Sequence, residues 1–458
     1  MEESLNQPNT PSHLVAVVGA GPAGLYVAKE LSKNNEVVLI NRDIKPGGLA
    51  EYGIYPDKTK IRQGLKTQFR EILSRPNVHY FGNLNISCQG DLKLKELRQM
   101  GFQAVVVTVG AQHARSLGIP GEELQGVYHA KDLVYHYSGL PPYSQQPFPI
   151  GRRVAVIGMG NVMLDITRYL TRVVKVDEVI AIARRGPGEI KFDKAELEGV
   201  AASLDVDAFE KELRSHRELM LSLGQNPEEI RGMVLSAVEK AEPAVSNSRF
   251  SIRFLLSPTC VIGDGSNHVC GLELERNTLF NQSDEYVSAK GTGEREMLPV
   301  DTIIFAIGNR VESGLGLPTR GSSFISNPNP RFPVHDISYE ILDENGNLME
   351  DIFVAGWARQ ASTGLVGLAR RDSINAARAV SQYLQTLPPH ADIPGALQAF
   401  NARAVSLQHP VITNADLRRL EDVEDQLAAQ KGVEEFKFTT NEEMLAAIGL
   451  SETQTQMG

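Results

Sequence analysis

The stretch that decides the fold is LVAVVGAGPAGLYVAKELSKNNEVVLI, residues 14–40. Its first five residues form the apolar run of a buried strand, a Gly-x-Gly-x-x-Gly turn follows, and residues 25–31 continue with helical spacing. A second apolar strand at residues 36–40 completes a βαβ unit, the context in which such a turn predicts dinucleotide binding. The glycines of the turn allow a tight bend and let a pyrophosphate approach the helix N-terminus; they are Gly19, Gly21 and Gly24.

The same arrangement returns at residues 153–185. A strand leads into Gly158-Met159-Gly160-Asn161 and a helical pattern, and the next strand ends at Arg184-Arg185. Two guanidinium groups, where an acidic residue would read the ribose of NAD, favour the 2′-phosphate of NADP. The alternative is a solvated basic strand end. Met163 stands where Gly or Ala usually lets helix and strand pack closely.

Composition bounds the class of protein. The chain has 458 residues, of which 42% are hydrophobic and 22% charged, so it is long enough for two or three globular domains. Its three cysteines do not provide a disulfide framework, a metal site or an iron–sulfur site, so any redox chemistry requires a bound cofactor. We therefore expect a cofactor-dependent protein without a resident metal.

Charge and hydropathy restrict partners and location. The formal net charge of −10 argues against a nucleic-acid binder. No apolar stretch reaches the ~20 residues of a membrane-spanning helix, and the first residues, MEESLNQPNT, are polar and acidic. The sequence therefore predicts a cytoplasmic protein that binds neither nucleic acid nor membrane.

Two strands that end in glycine, residues 104–110 and 302–308, mark the predicted crossings between domains. We predict an α/β protein with two Rossmann-like domains, the second inserted into the first. A disordered N-terminus at 1–13 precedes an FAD domain formed by 14–110 and 306–458, and an NADP domain occupies 111–305.

The residues after the first loop favour FAD there. Pro46-Gly47-Gly48-Leu49 is a glycine-rich segment that a bulky isoalloxazine can approach. Near the C-terminal end, a strand reaches Gly356-Trp357, and a further helix start at 362–367 suits the pyrimidine end of a flavin. Asn41 occupies the ribose-reading position, which is usually acidic.

Taken in order, these motifs resemble the adrenodoxin reductase type of ferredoxin–NADP reductase, a smaller relative of the glutathione reductase fold. The resemblance covers nearly the whole chain. It rests on GAGPAG at 19–24, PGGLAEYGIYPDKTKI at 46–61, GMGNVMLD at 158–165, ARRGP at 183–187, GW at 356–357 and TGLVG at 363–367.

The resemblance implies two sets of contacts and a pocket around the flavin and nicotinamide rings. The implied FAD contacts are Ala23, Asn41, Gly48, Leu49, Ile86, Trp357, Gly364, Leu365 and Val366. The implied NADP contacts are Met159, Gly160, Asn161, Val162, Arg184, Arg185 and Glu196. The ring pocket is assigned to Lys58, Trp357 and Gly364. Without the resemblance, Leu49 and Ile86 are equally well interpreted as core residues.

Two positions depart from the family pattern close to the rings. Lys58 stands where the family has His, and Gly199 stands where it has Glu, so the pocket differs in charge and hydrogen bonding. Hydride transfer between stacked rings depends mainly on positioning, so the departures are compatible with activity.

The leading functional hypothesis is a ferredoxin–NADP⁺ reductase-like flavin oxidoreductase, in which NADPH gives hydride to flavin N5 and electrons pass singly to an acidic ferredoxin-like carrier. Five arginines are candidates for docking that carrier: Arg359, Arg370, Arg371, Arg418 and Arg419. One alternative is an NADPH-dependent flavoprotein that acts on a small molecule or quinone. The other is a nucleotide-binding scaffold or redox-sensing subunit with little turnover.

Overall fold

The computed structural model describes residues 12–283, 286–361 and 366–450. It divides into two compact units. The first unit comprises the described residues through His113, the segment Tyr137–Gln145, and the described residues from Asn309 onward. The second comprises Ala114–His136 and Gln146–Gly308. The chain passes between the units three residues after each predicted crossing, and Tyr137–Gln145, which the prediction placed in the NADP domain, falls in the first unit.

The N-terminal prediction falls largely outside the described residues, because residues 1–11 are not among them. Ser12 and His13, also within the predicted disordered segment, are hydrogen-bonded. The Ser12 N–H donates to the Asn34 carbonyl over 3.0 Å, and His13 Nδ1 lies 3.0 Å from Gln103 Oε1. These contacts tie the start of the described chain to the first unit.

The first unit is built on a six-stranded sheet. All neighbouring strands are parallel except the edge pair Glu340–Leu342 and Leu348–Val354. In spatial order the strands are Glu340–Leu342, Leu348–Val354, Ala104–Val107, Leu14–Val18, Glu36–Ile40 and Val78–Phe81. Leu14–Val18 is buried along its whole length, with Val15 and Val17 in one core and Leu14 and Ala16 in another. Burial on both faces explains the continuous apolar run.

Helices cover this sheet. Pro22–Leu31 begins with Pro at the first helical position, where the missing N–H costs no hydrogen bond. It packs beside Val366–Leu384, with residues of both helices in the same core. The remaining helices of the unit are Leu49–Tyr52, Thr59–Leu73, Leu94–Gln99, Ile393–Val405, Asn414–Lys431 and Asn441–Ala447.

One segment of the predicted NADP domain packs with the first unit. In Tyr137–Gln145, the Ser144 hydroxyl donates to the Thr439 carbonyl, and the ring of Tyr137 lies edge-on to that of Tyr55, with centroids 5.7 Å apart. The boundary prediction rested on glycine-ended strands alone and held no information about these side-chain contacts.

The second unit has a five-stranded sheet in which every neighbouring pair is parallel. In spatial order its strands are Val127–His129, Thr302–Phe305, Arg153–Ile157, Glu178–Ile182 and Arg249–Arg253. Its helices are Ala130–Tyr137, Asn161–Tyr169, Lys194–Glu198, Val206–Ser215, Arg217–Ser222 and Pro227–Val238. The last residue of the first of these helices, Tyr137, is also the first residue of the segment Tyr137–Gln145. The predicted α/β class is confirmed.

A three-stranded antiparallel sheet belongs to the same unit. It consists of Leu256–Gly263, Val269–Ser283 and Tyr286–Leu298. In the part of the chain that the structure describes, no helix has the length and apolar character needed to cross a bilayer.

Candidate nucleotide-binding sites

The first glycine loop is held by close backbone contacts. Gly19 has φ +106°, and a Cβ there would lie 2.7 Å from the Thr108 carbonyl oxygen. A Cβ on Gly24 would lie 1.9 Å from the Gly19 carbonyl oxygen. The Thr108 hydroxyl donates to that same carbonyl over 2.7 Å. Gly19 and Gly24 are therefore required by the protein's own packing, and Thr108 completes the turn.

Gly21 has a different environment. Apart from Gly21 itself and its two neighbours in the chain, no atom of the described residues lies within 4 Å of the position that its Cβ would take. It is the N-cap of Pro22–Leu31, and no side chain caps this helix. Gly48, with φ +49°, faces it: a Cβ on Gly48 would lie 3.1 Å from Gly21 Cα. The open side of Gly21, at an uncapped helix N-terminus, fits the diphosphate of a dinucleotide.

Asn41, the predicted ribose reader, uses most of its amide on the backbone. Its Oδ1 accepts from the Ala20 N–H over 3.0 Å. Its Nδ2 donates to the carbonyls of Asp43, over 2.9 Å, and Lys45, over 3.0 Å. Both donors are thus engaged, and Asn41 connects the turn after the first strand to the segment that leads into residues 46–49. What it retains for a ribose hydroxyl is an oxygen lone pair.

The Gly-Trp turn packs against the first helix. Gly356 has φ +67°, and a Cβ there would lie 2.6 Å from Ala23 Cβ. Its N–H donates to Asp372 Oδ2 over 2.7 Å. Trp357, which follows, is half-buried. The turn therefore lies beside Ala23, in the first turn of Pro22–Leu31, and Trp357 is the next residue along the chain.

Arg359, one of the predicted docking arginines, is held inside this turn. Its side chain is 15% exposed and pairs with Asp372, and its guanidinium lies 5.1 Å from the Tyr339 ring centroid. Burial first, and then the Asp372 charge, raises the pKa of Tyr339 to about 12. Because its charge is already neutralised, Arg359 is a structural residue of the turn.

The other predicted FAD contacts differ in surroundings. Ile86 is 6% exposed and belongs to a core cluster, which favours the core interpretation. Leu49 is half-buried at the start of Leu49–Tyr52, and Lys58 is half-buried just before Thr59–Leu73. Gly364 and Leu365 lie outside the described residues, while Val366 begins the helix Val366–Leu384.

A buried ion network that the sequence did not indicate lies at both ends of the segment 46–50. The Glu51 carboxylate, 4% exposed, has three ammonium neighbours: Lys45 at 3.0 Å, Lys437 at 3.1 Å and Lys66 at 3.3 Å. Lys45 also pairs with Glu424 at 2.6 Å. Burial alone would raise the pKa of Glu51, but the ammonium groups outweigh it and hold that pKa well below its usual range. The network binds the C-terminal segment to both sides of residues 46–50.

The second glycine loop repeats the first in the second unit. Gly158 has φ +139°, and a Cβ there would lie 2.3 Å from the Ala306 carbonyl oxygen. Gly160 is the N-cap of Asn161–Tyr169, which lacks a side-chain cap, and its Cβ position has no described neighbour within 4 Å. Met163 is fully buried, so the departure from Gly or Ala is absorbed in the interior. This loop also fits a diphosphate.

Asn161 connects this loop to the segment that carries Glu196. Its Nδ2 donates to Asp193 Oδ2 over 2.7 Å, and its Oδ1 accepts from the Asp193 N–H over 2.8 Å. Asp193 is the N-cap of Lys194–Glu198, in which Glu196 is half-buried. Val162 is 47% exposed, so its side chain is accessible to a ligand or to water. The Asn161 side chain thus positions a neighbouring segment.

Arg184 and Arg185 follow the strand Glu178–Ile182 after one intervening residue, Ala183. Arg184 is exposed and Arg185 half-buried. No ion pair of Arg184 occurs within the described ranges, so its charge is available to an anion. The pair therefore stands at the carboxyl end of the second strand of its βαβ unit, where a dinucleotide presents its ribose.

The departure at Gly199 has a local structural explanation. A Cβ on Gly199 would lie 2.3 Å from Nη1 of Arg168, whose side chain is 9% exposed. That guanidinium donates to both oxygens of Glu242, over 2.8 and 2.6 Å. Arg168 thus fills the space beside Gly199.

Comparison with known proteins gives a consistent result. The family model described as pyridine nucleotide-disulphide oxidoreductase matches residues 13–199. NADPH-ferredoxin reductase FprA of Mycobacterium leprae is 31% identical over 395 residues, covering 79% of this chain and 82% of the relative. The mitochondrial NADPH:adrenodoxin oxidoreductase of Drosophila melanogaster is 27% identical, covering 97% of this chain and 95% of the relative.

A solved structure of a relative has the same fold as this chain. Mycobacterium tuberculosis FprA in complex with NADPH matches with a TM-score of 0.80 and 26% identity, covering 96% of this chain and 100% of that one. The resemblance drawn from the motifs is confirmed.

Proposed function

Since the chain belongs to the family of NADPH-ferredoxin reductases and NADPH:adrenodoxin oxidoreductases, we propose that it transfers electrons between NADPH and an iron–sulfur carrier protein through bound FAD. The observation that carries this proposal is the pair of open glycine loops, one in each unit, at Gly21 and Gly160. Each lies at an uncapped helix N-terminus, and only the second is followed by paired arginines.

The first unit holds FAD. The helix N-terminus at Gly21 and the facing Gly48 receive the diphosphate, and Asn41 accepts a hydrogen bond from the ribose. Ala23 and Trp357 flank the path toward the flavin ring. When bound, FAD supplies the exchange between a two-electron donor and a one-electron acceptor.

The second unit holds NADPH. Met159, Gly160 and the first residues of Asn161–Tyr169 receive its diphosphate, and the two guanidinium groups after the second strand bind its 2′-phosphate. A guanidinium that meets a phosphate dianion forms charge-assisted hydrogen bonds, whereas NAD offers it a neutral hydroxyl. NADPH is therefore preferred over NADH.

The carrier is an acidic, ferredoxin-like protein. Support comes from the relatives, which are by name reductases of ferredoxin or adrenodoxin. Because this chain carries a net charge of −10, such a carrier needs a local basic surface. Arg370 and Arg371 are exposed on Val366–Leu384, and Arg418 is exposed on Asn414–Lys431, while Arg419 is paired with Asp416.

The test is anaerobic mixing of the flavin-loaded protein with NADPH. We expect rapid bleaching of the yellow flavin absorbance, and onward transfer to cytochrome c only when a ferredoxin is added. Arg184→Ala should raise the KM for NADPH about 10-fold or more, as the loss of a charge-assisted hydrogen bond does.

The matched control is Arg217→Ala, which removes an exposed arginine elsewhere in the second unit. It should leave the KM for NADPH unchanged. Absence of bleaching by NADPH contradicts the proposed activity, and equal efficiency of NADH and NADPH contradicts the role of the arginines.

A further inference from the structure

The turn that carries Arg184 and Arg185 is fixed at three successive backbone groups. The Arg184 carbonyl accepts from Asn277 Nδ2 over 2.9 Å. The Arg185 carbonyl accepts from the Leu255 N–H over 3.2 Å. The Gly186 N–H donates to Glu189 Oε2 over 2.9 Å. The backbone that carries both arginines is therefore held by two residues distant in sequence, Asn277 and Leu255, and by the local contact to Glu189.

Of these three contacts, the one from Asn277 is the one in which a side chain donates to a carbonyl. Asn277 is distant in sequence from the glycine loop at residues 158–161. It is 8% exposed and lies at a register shift between Val269–Ser283 and Tyr286–Leu298. Its Nδ2 also donates to Ser257 Oγ over 2.8 Å. Two acceptor oxygens at the same amide nitrogen fix the orientation of the amide, because the reversed amide would set oxygen against the Arg184 carbonyl.

Leu255 makes the second contact to this turn, and its backbone conformation is strained. Its φ is +56°, in the left-handed region that residues other than glycine seldom adopt, and its side chain is 5% exposed. The Asn277 N–H donates to the Leu255 carbonyl over 2.8 Å, while the Leu255 N–H binds Arg185. Asn277 thus contacts Arg184 directly and Arg185 through one residue.

We propose that Asn277 is a positioning residue that sets the preference for 2′-phosphorylated nicotinamide nucleotides. The inference rests on the proposed function, in which Arg184 and Arg185 receive the 2′-phosphate. Long arginine side chains lose conformational freedom when they bind, and a fixed backbone lowers that cost in advance. Without the Asn277 amide, the Arg184 carbonyl loses its buried donor, the turn gains alternative conformations, and the guanidinium groups meet the phosphate less often.

The experiment measures the dissociation constants of NAD⁺ and NADP⁺, which differ only in the 2′-phosphate, by calorimetry on the flavin-loaded full chain. In Asn277→Ala the ratio of the NAD⁺ constant to the NADP⁺ constant should fall about tenfold, the scale of one buried hydrogen bond. The NAD⁺ constant itself should remain unchanged, because Gly160 and its helix are untouched. Asn281→Ala, an exposed asparagine of the same strand, is the matched control and should keep the wild-type ratio.

A double-mutant cycle separates positioning from general damage. In an Arg184→Ala background, Asn277→Ala should change the ratio far less than in the wild type, because the guanidinium through which it acts is absent. An unchanged ratio in Asn277→Ala, or equal effects in both backgrounds, overturns the proposal. A wild-type ratio near one instead refutes the proposed 2′-phosphate site. If the alanine variant does not fold, Asn277→Ser, whose hydroxyl is too short to reach the Arg184 carbonyl, is judged by the same ratio.

Discussion

Replacement of Glu51 by Gln tests the buried ion network directly. Three ammonium groups, those of Lys45, Lys437 and Lys66, lie within 3.0 to 3.3 Å of this carboxylate, and Glu51 is 4% exposed. A neutral amide leaves the buried ammonium group of Lys45 and the partly buried ones of Lys437 and Lys66 without this negative charge. Removal of one partner of a buried ion pair costs about 3–5 kcal/mol. For a unit of this size we expect the melting temperature to fall by about 6–10 °C.

The difference in free energy of unfolding between wild type and this variant should depend on pH. The pKa of Glu51 is depressed in the folded protein, so its contribution is complete above the unfolded-state pKa of about 4.3 and is lost as the pH falls toward the folded value. Between pH 7 and pH 4.0 the stability difference between wild type and Glu51→Gln should therefore narrow, by about 0.6 kcal/mol. The difference narrows because wild type loses the contribution of the Glu51 carboxylate as the pH falls, whereas Gln at this position does not titrate.

The assay is urea unfolding of the flavin-loaded protein at both pH values, followed by flavin fluorescence and circular dichroism. Flavin release should come at a lower urea concentration in the variant, because Lys45 and Glu51 flank residues 46–50, which include Gly48 of the proposed FAD site. Glu71→Gln, an exposed carboxylate on Thr59–Leu73, is the matched control and should change the free energy of unfolding by less than about 0.5 kcal/mol. A Glu51→Gln loss as small as the control's, or a difference that widens toward pH 4.0, refutes the reasoning.

Two further predictions follow from the first unit. Gly24→Ala should abolish folding of that unit, because its Cβ would lie 1.9 Å from the Gly19 carbonyl oxygen. Gly21→Ala should instead leave the apoprotein folded but prevent FAD binding. Equal flavin content in wild type and Gly21→Ala would contradict the diphosphate site. Combined Arg370→Ala and Arg371→Ala replacement should raise the KM for a ferredoxin at low salt, with the effect fading at high salt and absent in Arg217→Ala; a salt-independent or absent change would remove these residues from the docking surface.

Sequence patterns predicted well what is local. A Cβ on Gly24 would meet the carbonyl oxygen of Gly19, five residues earlier in the same turn, and such a local requirement appears as a short motif. The patterns failed where the partner is distant in the chain. Lys437 and Glu51 are far apart in sequence, and either alone is an ordinary surface-type charge until the fold buries both.

Asn41 shows a second kind of limit. Its position predicted a ribose contact, but position in a motif does not tell how many of a side chain's hydrogen bonds the backbone takes first. Three of them go to Ala20, Asp43 and Lys45. Asn277 has no motif around it, since its role depends on a strand register that brings it beside Arg184.

The Gly-Trp turn has a spectroscopic consequence. Trp357 is the single tryptophan in 458 residues. It follows Gly356, which packs against Ala23 without room for a Cβ and whose N–H donates to Asp372. Excitation at the red edge of the indole band therefore reports on one turn and nothing else. Quenching of that emission on addition of flavin would give a label-free optical titration of the cofactor site, with no engineered dye.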